Sequence, residues 1–125
     1  MSGSEVGKIG WIDLTVDNAE KVKDFYAAVV GWEVSEFPVA DYHDYCVSPS
    51  GGDAVAGICH KQGVNAEIPS QWLMYVTVAN LEESIEQCKA NGGDVLTEPR
   101  DMGGYGVMSV IRDPAGAVCA IIESA

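Results

Sequence analysis

One pattern occurs twice in this chain, and the repeat limits its fold more than any other feature. Val16-x-Asn18 opens a helical stretch that runs to Gly31, with Pro38 beyond the strand that follows. Val78-x-Asn80 opens a second stretch, which runs to Gly92-Gly93 with Pro99 beyond it. The copies stand 62 residues apart at the valines and asparagines and 61 apart at the prolines. A repeat of that length within 125 residues means two copies of one supersecondary unit, each too small to bury its hydrophobic face alone. A ligand cleft is therefore expected where the two units share a surface.

Residues 9–16 alternate, with Ile12, Leu14 and Val16 on one face and Trp11, Asp13 and Thr15 on the other, as in a half-buried strand. Asn18 is a suitable N-cap, and Glu20 adds a carboxylate near the positive helix end. Val22, Phe25, Tyr26, Val29 and Val30 then give one apolar helix face, closed by Gly31. Strands are expected at 32–37, 44–47 and 54–60, with turns at Pro38, Pro49 and Gly51-Gly52. A polar link over 61–70 leads to a strand at 72–78. Asn80, with Glu83 three residues on, then forms a capping box. Leu81, Ile85 and Cys88 mark the buried stripe of the second helix. Strands at 94–97, 106–111 and 117–123 follow, the last two joined by Asp113-Pro114-Ala115-Gly116. The expectation is an α+β fold of two tandem βαβββ modules, 8–62 and 70–124, within one domain spanning 1–125.

Composition narrows the partners. With 7 basic against 19 acidic residues and a net charge of −12, the chain is unsuited to nucleic acid or an anionic membrane. No apolar run approaches the length of a membrane span, and residues 1–5 show no apolar signal region, so a cytoplasmic location is expected. The four cysteines, Cys46, Cys59, Cys88 and Cys119, follow no zinc or C-x-x-C spacing and read as small hydrophobes.

Trp11-x-Asp13-Leu14, Phe25-Tyr26 and Gly31-Trp32 are followed by Tyr75-x-Thr77-Val78, Gly92-Gly93, Pro99 and Asp113-Pro114-x-Gly116-Ala117. In order and spacing these motifs resemble the vicinal oxygen chelate superfamily of glyoxalase I, bleomycin-resistance proteins and extradiol dioxygenases. They resemble the subgroup of predicted enzymes related to lactoylglutathione lyase, over residues 8–124. The resemblance implies a curved mixed sheet with a central cleft, the glyoxalase/bleomycin-resistance fold, and a homodimer. In metal-dependent members the cleft holds one divalent ion. A His or Gln stands five residues before each strand valine, and a Glu stands near the end of each module's last strand. Carried onto this sequence, three of those places are Trp11, Leu73 and Ala120, and the fourth falls near 57–59. Indole, isobutyl and methyl groups offer a cation no lone pair, so neither the usual metal nor another cofactor is expected.

His43, His60, Glu123 and the carboxylates are the other candidate ligands. Glu123 shares a strand face with Ile121 and Cys119, opposite Ala120. His43 falls in the polar run Asp41-Tyr42-His43-Asp44 and reads as a solvated turn residue, while His60 reads as a strand-end polar residue. Cys59 and His60, being adjacent on a strand, point to opposite faces and cannot pair as nucleophile and base. Gly103-Gly104-Tyr105-Gly106 leads into a strand rather than a helix, so it reads as a hairpin lip over the cleft and not as a phosphate loop.

Strand parity places Trp72, Met74, Val76 and Val78 under the second helix and turns Leu73, Tyr75 and Thr77 toward the cleft. Asp13 and Tyr75 are the candidate catalytic groups, with Trp11, Thr15, Leu73, Thr77 and Ala120 as the candidate ligand-binding residues. The leading reading is a protein that binds a small, largely apolar molecule without a metal, any chemistry being lyase- or isomerase-type proton transfer. Two alternatives stand beside it: a sequestering, resistance-type protein without turnover, and a metal-dependent lyase or dioxygenase with relocated ligands.

Overall fold

The computed structural model describes residues 5–39 and 42–125, and the chain divides into two compact units. The first comprises Trp11–Trp72; the second comprises Leu73–Ala125 with the N-terminal stretch through Gly10. The first unit contains strand β1 (Ile9–Val16, from Trp11 onward), helix α1 (Ala19–Val30), β2 (Glu33–Val39), β3 (Tyr42–Ser48) and β4 (Ala56–His60). The second contains β5 (Trp72–Thr77, from Leu73 onward), α2 (Leu81–Ala90), β6 (Asp94–Val95), β7 (Arg100–Asp101), β8 (Val107–Arg112) and β9 (Val118–Glu123). The class is α+β. No helix among the described residues is long and apolar enough to cross a membrane.

Within the first unit the strands run β2-β3-β4-β1, with β1 parallel to β4 and the other pairs antiparallel. The register sets Asp13 beside Gly57, Thr15 beside Cys59, and Cys46 across from Gly57. The pleat therefore sorts the strands into two faces. Leu14, Tyr45, Val47, Ala56 and Ile58 form one buried cluster, against which Val22 and Tyr26 of α1 and Trp32 and Trp72 pack. Each fully buried aliphatic side chain here contributes about 1.5–3 kcal/mol of apolar transfer free energy. Trp72 also donates its indole N–H to the Tyr26 hydroxyl at 3.1 Å, which ties the end of the linker to the helix. The opposite face, free of the helix, holds Trp11, Asp13, Thr15, Asp44, Cys46 and Cys59.

The second unit repeats the plan as β5-β9-β8-β6, with β5 parallel to β9 and β7 also paired to β8. Leu73, Met108, Val110 and Ala120 are buried to within 1%. The N-terminal stretch belongs here: Gly7 N–H donates to Thr77 O at 2.8 Å and Thr77 N–H to Lys8 O at 2.9 Å.

Several local expectations change. The stripe on α1 is wider than what it buries, since Phe25, Val29 and Val30 are exposed and only Val22 and Tyr26 reach the core. Pro38 lies inside β2 rather than after it, opposite His43; β2 pairs with β3 alone among the described residues, and a strand with one open side tolerates the missing N–H. His43 is accordingly an exposed strand residue, not part of a turn, and Asp41 lies outside the described residues. The strand expected at 94–97 shortens to β6 at Asp94–Val95, where the Thr97 hydroxyl accepts Val110 N–H at 2.9 Å, and a further short strand, β7, not expected from the sequence, follows Pro99. Gly103–Tyr105 form a 3₁₀ turn, and part of the linker does the same at Gly63–Asn65. Met74 is 42% exposed, so it does not pack beneath the second helix as parity suggested.

The two caps also differ. Asn80 accepts Glu83 N–H at 2.9 Å. Asn18 sits at φ 58° and makes no side-chain cap bond. Asn80→Ala is expected to cost about 1 kcal/mol. Asn18→Gly, which relieves a left-handed backbone, is expected to be neutral or stabilising. Urea unfolding of both variants checks this, and equal losses would contradict the assigned difference.

Candidate functional site

The helix-free face of the first module gathers the chemistry. Asp13 is buried on β1, and its Oδ1 accepts the Trp11 indole N–H at 2.6 Å. Gly57 lies directly against that carboxylate, because a Cβ at position 57 would collide with Asp13 Oδ1. The carboxylate is thus held from one side by an indole donor and admitted from the other by a missing side chain. Thr15, also buried, stands two residues along on the same face.

Asp44 on β3 is a second buried carboxylate of this face. Its Oδ1 accepts the His60 backbone N–H at 2.9 Å and lies 3.2 Å from His60 Nδ1. The β3–β4 register stops at Tyr45–Ile58, so the Asp44 side chain takes over where the ladder ends. The Asp44 carboxylate also acts on the neighbouring Cys59 thiol, helping to raise its pKa. The His60 ring stands edge-on to Tyr42 with centroids 5.3 Å apart. Cys59 and His60 therefore meet the same carboxylate rather than each other. The sequence places Asp44 at the start of an expected strand but gives its carboxylate no role.

Burial, then the Asp13 and Asp44 carboxylates, push the Cys46 and Cys59 thiols up. Both stay protonated at neutral pH, which removes them as nucleophiles and as thiolate ligands.

The expected residues of the second module lie on the helix-free face of their own sheet. Tyr75 pairs with Ala120, and Leu73, Tyr75, Thr77 and Ala120 are all buried. The opposite face of that sheet meets α2. Glu123 lies there, and its Oε1 accepts Leu81 N–H at 2.7 Å, which commits this carboxylate to the first turn of the helix.

A sequence model of the glyoxalase/bleomycin resistance protein/dioxygenase superfamily matches residues 8–121. The chain belongs to this superfamily. A candidate glyoxylase of Mycobacterium tuberculosis, CFP32, is 31% identical over 122 residues, covering 98% of this chain and 46% of that protein. The anthracycline biosynthesis protein DnrV of Streptomyces peucetius is 27% identical over 127 residues, covering 92% and 46%. The chain spans about half the length of these curated relatives. Among solved structures, methylmalonyl-CoA epimerase of Mycobacterium tuberculosis aligns with a TM-score of 0.58 at 16% identity, over 100% of this chain and 93% of that one. A Streptomyces coelicolor methylmalonyl-CoA epimerase in complex with 2-nitronate-propionyl-CoA gives 0.58 at 16%, over 96% and 99%. These likenesses establish the fold.

The superfamily's divalent metal does not fit the residues present. Trp11 is an N–H donor already bonded to Asp13, while Leu73 and Ala120 are hydrocarbon. Glu123 is held at the start of α2, and His60 with Asp44 at the end of β4. Among the described residues no three His, Cys, Asp or Glu side chains are grouped to hold an ion.

Two measurements test this geometry. Gly57→Ala forces the Asp13 carboxylate aside and is expected to cost about 1–3 kcal/mol in chemical denaturation, and an unchanged midpoint would contradict the contact. Because Cys46 and Cys59 hold their protons more tightly folded than unfolded, their contribution is complete below the ordinary thiol value near 8.5 and is lost as pH rises above it. Stability should fall from about pH 8.5 upward, and Cys59→Ser should make the fall shallower. A variant with the same slope as the parent would contradict the assignment.

Proposed function

We propose that the chain binds a small, largely apolar molecule through the helix-free face of its first module, with Asp13 as the polar anchor and without a divalent metal. The observation that carries this reading is the Asp13 carboxylate, buried, oriented by the Trp11 indole and seated on Gly57. A carboxylate fixed in this way does not need to reorganise before it accepts a proton or hydrogen bond from a ligand, which is the condition for base catalysis. Trp11 supplies a flat apolar wall beside it. Thr15 adds a hydroxyl, and Tyr75, on the helix-free face of its own module, offers a phenol for the same kind of task.

The similarity to a protein named for anthracycline biosynthesis is in keeping with an apolar ligand. The similarity to a candidate glyoxylase is in keeping with lyase- or isomerase-type proton transfer, in which Asp13 takes a proton from carbon or oxygen. The same face would equally serve a protein that only sequesters its ligand. Recovery of the ligand separates the two.

The test uses 1-naphthol as probe, followed by nuclear magnetic resonance on the labelled chain. Saturable shifts are expected at the amides of Asp13, Thr15 and Cys59. Asp13→Asn, with an unchanged melting temperature, is expected to weaken binding about ten-fold or more, the value of a hydrogen bond to a charged acceptor. Equal affinity in the variant would contradict the role given to Asp13. Incubation with aromatic hydroxy ketones then distinguishes solvent-deuterium uptake at the acidic carbon from ligand recovered unchanged.

A further inference from the structure

We propose a second binding site, on the helix side of the second module, for a small organic cation with an apolar body. A cavity of about 560 Å³ opens beside α2, within the roughly 300–1,000 Å³ range of small-molecule sites. Its floor is Val78, Ile111, Pro114 and Ile121. Its helix wall is Glu83, Ser84, Gln87, Cys88 and Asn91. Ile121 lies on the sheet face opposite Ala120, so the groove is distinct from the residues expected to bind ligand.

The internal repeat explains why the space exists. At the 62-residue offset, Val22, Phe25, Tyr26 and Val29 of α1 correspond to Ser84, Gln87, Cys88 and Asn91 of α2. In the first module Val22 and Tyr26 close the gap between helix and sheet by packing on the core. In the second, a hydroxymethyl and a thiol occupy those places, and amides replace Phe25 and Val29. All four of the substituted positions line the cavity. Loss of packed bulk under a helix is destabilising unless something fills the space. The same topology therefore builds a solid contact in one module and a groove in the other.

The lining chooses the charge of the occupant. Among the described residues no lysine or arginine lines the cavity, whereas Glu83 and Asp113 do. Asp113 Oδ1 is occupied by the backbone N–H groups of Ala115 and Ala117, at 2.8 and 3.0 Å. The Glu83 carboxylate has no hydrogen bond or ion pair of its own among the described residues, its backbone N–H being the group that meets Asn80. A chain of net charge −12 disfavours an anion further. An ammonium at Glu83 with hydrocarbon or an aromatic ring laid on Ile111 and Ile121 satisfies both halves of the lining.

Phenethylammonium is the probe, with 3-phenylpropionate as the anion of similar body, titrated into the labelled full chain. Phenethylammonium should shift the Ser84, Gln87 and Cys88 amides saturably, and 3-phenylpropionate should bind several-fold more weakly. Glu83→Gln should reduce amine affinity about two- to five-fold, the value of an exposed charge pair. Ser84→Leu should fill the groove and abolish the shifts, and Ser84→Val, which restores the first module's residue, should weaken them if the larger change impairs folding. Asp13→Asn should leave amine binding unaltered, so failure here and failure of the proposed function are separable. Amides that stay unmoved by phenethylammonium at millimolar concentration, or equal binding by the Ser84 variants, overturn the proposal.

Discussion

Each module contains one helix and one sheet, and the helix can cover only one sheet face. That constraint sets the rest of the structure. In the first module the covered face takes Leu14, Tyr45, Val47 and Ile58, and the core they form orders β1, β3 and β4 with fixed parity. Whatever stands on the alternate positions is then displayed together on the other side. Asp13, Thr15, Asp44, Cys46 and Cys59 are therefore neighbours although they come from three strands. In this chain the alternate positions carry carboxylates, thiols and an indole.

The two carboxylates of that face have different tasks. Asp44 is engaged by a backbone N–H and an imidazole nitrogen of His60, and serves to close the end of β4. Asp13 is engaged by Trp11 and lies over a glycine, an arrangement that orients its carboxylate on the helix-free face. Burial first, and then both carboxylates, raise the neighbouring thiols, so the site offers acceptors and keeps its sulfur atoms protonated. Proton transfer and hydrogen bonding suit such a face better than thiolate chemistry.

Much of this was legible in the sequence, for a physical reason. Period-two alternation in residues 9–16 and 72–77 separates the faces, so the shared orientation of Trp11, Asp13 and Thr15 could be read directly. Asn80 and Gly31 were legible because caps are local chemistry. The task of Asp44 was not, since its place at the start of the 44–47 strand says nothing of the His60 N–H it meets on β4. Nor could Asn18 be read, because both a capping bond and a left-handed backbone suit asparagine. The groove beside α2 is a further case. Ser84 and Cys88 look unremarkable on a helix until the 62-residue offset sets them against Val22 and Tyr26.

The central claim is that this superfamily member works with a face that has no place for the customary ion. Metal analysis of the purified chain by plasma mass spectrometry, at neutral pH and without chelator, tests it most directly. The account predicts zinc, nickel, manganese and iron far below one equivalent, with naphthol binding unchanged by added chelator. One tightly held transition ion per chain, ligated by protein atoms, would contradict it.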